Sequence, residues 1–253
     1  MIEQILLFCI SLVSNILSAM AGGGAGLIQL PALVFMGLPL SVALATHKIA
    51  SVALGVGASI KHAKASMLNT KLIAILLASG LPGVIIGAKT ILLIPEYIAK
   101  IILGILTLSL GIYSIFKTQL GLTSIEKKRN IQHAVIGAAV IFIIGFLNGA
   151  LSSGTGLFVT LWLVAWFGCD YKQATAHTMV CVGLFWNGTG AATFAFLAEV
   201  QWAWLPVLLL GSLLGGYIGA VISLKKGNIL IKRIFEITTI LVGLSLIASE
   251  TFA

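Results

Sequence analysis

A chain of 253 residues with 59% hydrophobic and only 9% charged residues lies far outside the composition of soluble domains. Its formal net charge of +8 would suggest nucleic acid in a soluble protein. Here Lys61, Lys64, Lys127, Lys128, Arg129, Lys225 and Lys226 cluster between apolar runs, as the positive-inside rule predicts, so the bilayer, not nucleic acid, is the expected partner.

Uncharged runs extend over Gln4 to Thr46, Leu72 to Ala88, Ile101 to Phe116, Ala134 to Cys169 and Val200 to Leu224. Each approaches or exceeds the roughly 20 residues a helix needs to span hydrocarbon. They are rich in Leu, Ile and Ala and lack the alternation of a β-barrel, which predicts an all-α polytopic membrane protein. The longest polar connection, Lys117 to Gln132, is too short for a soluble domain. The first apolar run ends in "SAMAG", as a signal peptide would, but it carries Glu3 and no basic segment, so we read it as a retained first helix. Cys9, Cys169 and Cys181 show no metal-ligand or disulfide spacing.

In chain order the segments are 4–21, 27–37, 41–60, 72–93 and 97–116, a basic linker at 118–132, then 133–151, 157–167, 172–197, 203–223 and 229–249. The two sets share landmarks. Gly24 and Gly26 align with Gly154 and Gly156, Gly37 with Gly168, Gly83 and Gly87 with Gly215 and Gly219, Lys100 with Lys232, and Gly111 with Gly243. This predicts one transmembrane domain over 1–253, built as two homologous repeats, 1–117 and 133–253. Basic residues follow the long helix of the first repeat, whereas Glu199, Trp202 and Trp204 follow that of the second. Equivalent loops thus fall on opposite sides, which argues for inverted repeats, with a parallel pair of four-helix halves as the alternative.

"AGGGAG", with Gly22, Gly23, Gly24 and Gly26, and "SSGTG", with Ser152, Ser153, Gly154, Thr155 and Gly156, each precede a segment of about 11 residues. At 1.5 Å per residue that covers about 16 Å, half the hydrocarbon core, so broken or re-entrant helices are expected there. Irregular backbone at membrane depth needs protein or a water-filled cavity to satisfy it. The amides freed at such helix starts carry partial positive charge and suit an anion. Close helix packing is the competing reading, and for Gly83, Gly87, Gly215 and Gly219, at four-residue spacing, the favoured one.

Beside these breaks stand "ATHK", with Thr46, His47 and Lys48, and "ATAHT", with His177 and Thr178. A lysine this far inside a segment costs about 2.5–3.5 kcal/mol if unpaired. Either it snorkels to an interface, or it serves a substrate; each histidine either bonds a nearby carbonyl or joins the same site. Helical spacing puts Ser51 on the His47 face. Asn148 joins the second cluster, Ser18 and Gln29 the first, while Asn187, more than two turns beyond His177, ranks lower.

With these motifs placed, the chain resembles the TauE/SafE family of sulfite and organosulfonate exporters. The resemblance runs through "AGGGAGLIQLPALVFMGLPLSVALATHK" and "GFLNGALSSGTGLFVTLWLVAWFGCDYKQATAHTMV". It implies a secondary transporter of the bacterial inner membrane that exports a small sulfur-containing anion such as sulfite or sulfoacetate. By position, Gly22 to Gly26, Thr46, His47, Gly154, Gly156, His177 and Thr178 would line the route. Ala45 and Ala176 stand where the family usually has glycine. An anion channel is the alternative function, and protons are a plausible coupling ion. The seven acidic residues offer no pairing for carboxylate or metal catalysis, and no phosphate-binding loop is present. Neither an enzyme nor a cofactor is expected.

Overall fold

The computed structural model describes residues 2–64, 67–90, 96–126, 130–151 and 154–251. It is all-helical, with no strand among the described residues. The elements are α1 (Ile2–Ala21), α2 (Gly26–Phe35), α3 (Leu40–Lys64), α4 (Thr70–Thr90), α5 (Glu96–Phe116), α6 (Ile131–Leu151) and α7 (Thr155–Ala165). Then α8 (Tyr171–Thr178) runs through a π-helical stretch (Met179–Trp186) into α9 (Asn187–Leu197), followed by α10 (Leu205–Lys226) and α11 (Asn228–Thr251).

Six stretches are long and apolar enough to cross a bilayer: α1, Ser41–Ala63 within α3, α4, α6, the continuous Tyr171–Leu197 and α10. Exposed side chains such as Phe35, Ile143, Phe196 and Leu241 present apolar surface that water would penalise and lipid accepts. The chain is an integral, multi-pass membrane protein.

Glycine geometry explains where helices stop. Gly22, Gly23 and Gly24 have φ of 86°, 143° and 101° and end α1; Gly154, at 75°, precedes α7. Gly37 and Gly168, at 98° and 76°, mark the chain beyond α2 and α7. L side chains are disfavoured in that region. After its break α2 turns back, so that Leu30 and Leu33 pack in one cluster with Leu7 of α1. In the same way α7 returns along α6: Trp166, just past α7, stacks on His133 at 4.7 Å and donates to its carbonyl at 3.1 Å.

Side-chain-free contacts set the helix directions. On α10, Gly211, Gly215 and Gly219 back onto the carbonyls of Phe8, Leu12 and Ile16, so α1 and α10 run parallel. Their seam is tied by Ser11, whose hydroxyl donates to the Leu208 carbonyl at 2.8 Å, and by Asn15, whose amide donates to Ser212 at 3.0 Å. Gly83 and Gly87 of α4 meet the Phe142 and Phe146 carbonyls, and Gly145 and Gly149 of α6 meet those of Gly80 and Val84, so α4 and α6 are also parallel. In contrast, α3 runs antiparallel to the α8–α9 rod, with Gly55 on Gly183 and Lys48 beside Gly190. The α5 and α11 pair is antiparallel too, with Gly111 on Thr239 and Gly243 on Leu108 and Gly104. The packing role expected for Gly83, Gly87, Gly215 and Gly219 is what they perform.

These directions gather Lys61, Lys71, Lys117, Lys172, Lys225 and Lys226 at one end, called the basic end below. Glu3, Lys89 and Glu199 lie at the far end.

The packing makes a graded prediction. A Cβ on Gly149 would collide with the Val84 carbonyl, whereas one on Gly188 meets nothing within 4 Å. Gly149→Ala should destabilise by about 1–3 kcal/mol, while Gly188→Ala, inside a helix with room, should be neutral or stabilise by up to about 1 kcal/mol. Thermal unfolding of the two variants in one detergent checks the opposite signs.

Candidate functional site

The two glycine breaks meet. A Cβ on Gly23 would lie 2.6 Å from the Gly156 Cα and 2.8 Å from the Leu157 nitrogen, and one on Gly156 would lie 2.9 Å from the Gly22 carbonyl oxygen. The irregular backbone after α1 is therefore buried against the irregular backbone before α7, as lipid requires. Thr160 of α7 completes the joint: its hydroxyl donates to the Gly22 carbonyl at 2.9 Å and lies 2.9 Å from the Thr178 hydroxyl.

Leu27 donates to the Gly24 carbonyl at 3.0 Å and Gln29 to that of Ala25 at 2.9 Å, while Leu157 donates to that of Gly154 at 2.9 Å. The amides of Gly24 to Gly26 and of Thr155 and Gly156 thus precede their helical ladders. They border one cavity of about 30 Å³, room for a couple of water-sized groups. Gly23, Gly24, Gly26, His47, Asn148, Thr155, Gly156 and Thr178 line it, joined by Ser18, Ser51 and Asn187. The Ser18 hydroxyl is 2% exposed and has no hydrogen-bond partner.

Lys48 is wholly buried and does not itself line the cavity; it stands behind the wall, bonded to Asn148 and Asn187, which do. Its Nζ donates to the backbone carbonyl and to Oδ1 of Asn148, both at 2.8 Å, and reaches Asn187 Oδ1 at 3.5 Å. It does not snorkel to an interface. Among the described residues its partners are oxygens of neutral groups, so the ammonium is solvated by the protein without a counter-charge. Asn148 also donates to Thr155 at 2.8 Å, fixing the end of α6 to the start of α7. His47 is held by Gln29, whose Oε1 lies 3.0 Å from Nδ1, and by the Ser51 hydroxyl 3.1 Å from Nε2.

Other expected residues stand elsewhere. Gly22 serves through its carbonyl, and Gly154 is the left-handed residue before α7. Thr46 faces away from the cavity and accepts from the Gln201 amide, beyond α9, at 3.0 Å. His177 bonds the Gln173 carbonyl at 2.7 Å and the Asn69 amide at 2.8 Å, and lines a separate chamber at the basic end. It does not join His47 and Lys48. Ser152 and Ser153 lie outside the described residues, as do Lys127, Lys128 and Arg129.

Sequence reasoning ranked Asn187 low because it is more than two turns from His177. That distance carries no weight once His177 is absent from the cavity: the antiparallel crossing of α3 and α9 is what brings Asn187 to Lys48. Sequence reasoning does not single out Thr160, whose only signal is a hydroxyl in a helix that is apolar beyond Thr155. Among the described residues no three His, Cys, Asp or Glu side chains converge as metal ligands. The cavity wall offers hydroxyls, amides and an imidazole, with one ammonium behind it.

The joint makes its own prediction. Gly23→Ala would place a methyl group on the Gly156 backbone at a φ of 143°, where neither side can yield without breaking the other. A loss of about 3 kcal/mol or more is expected, read as a fall in folded yield and in thermal midpoint.

Comparisons with known proteins point to a family of membrane transporters. The family model described as "Sulfite exporter TauE/SafE" matches residues 7–246. A probable membrane transporter protein of Haemophilus influenzae is 30% identical over 97% of this chain and 94% of its own. One from Sinorhizobium, ORF9, is 28% identical over 97% and 92%. The Escherichia coli probable membrane transporter protein YfcA is 26% identical over 95% and 88%. No solved structure matches the chain.

Proposed function

The chain belongs to the sulfite exporter TauE/SafE family and is a membrane transporter rather than an enzyme, and from that premise we propose that it is a secondary carrier exporting a small sulfur-containing anion. Sulfite, sulfoacetate and related organosulfonates are the substrate class. The observation that carries this reading is Lys48, a buried ammonium among neutral oxygens, held by the Asn148 and Asn187 side chains that line the cavity. An unpaired charge at membrane depth costs about 2.5–3.5 kcal/mol. A bound anion would offset it, and the unpartnered Ser18 hydroxyl and the first-turn amides would supply further donors.

Inverted repeats fit the same reading. The elements that correspond between the halves, α3 with α8–α9 and α5 with α11, run antiparallel, the relation expected for a two-fold axis in the membrane plane. Left-handed glycines recur at Gly24 and Gly154 and at Gly37 and Gly168. The positive-inside rule puts the basic end in the cytoplasm, and the likeness to bacterial transporter proteins supports a bacterial plasma membrane. The Thr46–Gln201 bond and the His177–Asn69 bond each pin one end of the bundle by a single side chain, which supports alternating access over an open channel.

Proteoliposome flux of sulfite and sulfoacetate tests the proposal. Saturable counterflow is expected in the parent, with a drop of roughly tenfold or more in Lys48→Met, because the counter-charge is gone. The variant should fold with a thermal midpoint close to the parent's, since relief of the buried charge offsets the two Asn148 acceptors left without a donor. Unchanged flux would refute the role of Lys48, and large unitary currents would favour a channel.

A further inference from the structure

His177 is buried yet lies away from the central cavity, and its hydrogen bonds define its protonation state. The Gln173 carbonyl can only accept, so Nδ1 carries the proton; the Asn69 amide can only donate, so Nε2 is bare. A second proton, at Nε2, would set two N–H groups against each other and break the Asn69 bond. Asn69 sits at the head of α4, where its Oδ1 accepts from the amides of Lys71 and Leu72 at 3.0 and 3.3 Å. The His177–Asn69 bond thus ties the start of α4 to α8.

Two further observations point to a proton as the ligand. His177 lines a chamber of about 390 Å³ at the basic end, together with Asn69, Ser124, Glu126 and Gln173, which gives water a way to the ring. His62 of α3 is wholly buried, with both ring nitrogens lacking a hydrogen-bond partner, and lies within electrostatic range of His177, so charge on one ring disfavours charge on the other. The far end carries the counterpart bond. There the Thr46 hydroxyl of α3 accepts the Gln201 amide just beyond α9, as His177 of α8 accepts the Asn69 amide just beyond α3. A hydroxyl does not titrate near neutrality, whereas an imidazole does.

We propose that the His177–Asn69 bond is a proton-operated latch on the basic end of the carrier: a proton arriving through the chamber binds Nε2 of His177 and frees the head of α4. This rests on the carrier reading above and adds to it the place where a proton acts. The charged and titratable groups around His177 are His62 from α3, Lys71 from α4, and Glu126 and Cys169 from the chamber wall. Asp170 and Lys172 flank the start of α8, Cys181 lies on the π-helical stretch, and α11 brings Arg233 and Lys232, the latter paired with Glu236 at 3.0 Å. The packed segments of α7 and α1 bring none. Glu126, which shares the chamber with His177, is the acid placed to relay a proton from solvent.

Amide hydrogen exchange on the full chain in nanodiscs tests the latch without any substrate. After correction for intrinsic rates, protection of residues 67–72 should fall roughly tenfold or more between pH 8 and pH 5.5. Residues 199–204, held by the Thr46 hydroxyl, should keep theirs. His177→Gln retains an acceptor for Asn69 and cannot titrate, so its protection should be equal at both pH values. Equal protection in the parent, loss at both ends together, or the same loss in His177→Gln would each overturn the proposal. Anion flux is not read, so failure here leaves the role of Lys48 to its own test.

Discussion

The structure depends on a constraint of the bilayer: a backbone polar group without a partner there costs several kcal/mol. Two helix ends that stop inside the protein would break this rule twice. They satisfy it by backing onto each other, with Gly23 against Gly156 and the Gly22 carbonyl capped by Thr160. Glycine is required on both sides of that joint for distinct reasons. Gly23 needs a positive φ, while Gly156 sits at the head of a regular helix and is small because Gly22 and Gly23 occupy the space its side chain would take.

From the joint follow the position and the chemistry of the cavity. Because the breaks abut, the amides that precede the α2 and α7 ladders border the same small space. Because α3 crosses the α8–α9 rod antiparallel, Lys48 arrives behind Asn187 in the wall of that space, and the end of α6 supplies Asn148. Hydroxyls and amides in the wall are neutral, so the ammonium dominates the local field. The long helices around the site are held by glycine seams whose backbones touch, leaving little freedom to slide without changing register. Movement is easier at the ends, where a single side chain bonds the loop beyond the opposing helix.

Glycine performs two jobs in one chain, and only their surroundings separate them. Gly83, Gly87, Gly215 and Gly219 keep helical geometry and let carbonyls of a neighbouring helix come close. Gly22, Gly23, Gly24 and Gly154 leave it. Four-residue spacing marked the helical stripe, but adjacency alone does not mark a break: Gly215 and Gly216 are neighbours inside α10, and Gly154 breaks with no glycine beside it.

Composition determined that the chain is membrane-embedded, and the lack of alternation in its apolar runs that it is helical, since only helices and closed barrels satisfy the polar backbone in lipid. Four-residue spacing determined which glycines pack, and the half-length segments after the two breaks where helices stop. The site was only half legible. His47, Asn148, Thr155 and Thr178 border the cavity as their closeness to the breaks suggested, but His177, one residue from Thr178, faces a different chamber because consecutive residues on a helix point about 100° apart. Lys48 could be recognised as costly from its depth, yet its partners come from α6 and α9, 100 and 139 residues away in the chain. Such partners are decided by which helices cross and in which direction. That is a property of the packed bundle, and no single segment carries it.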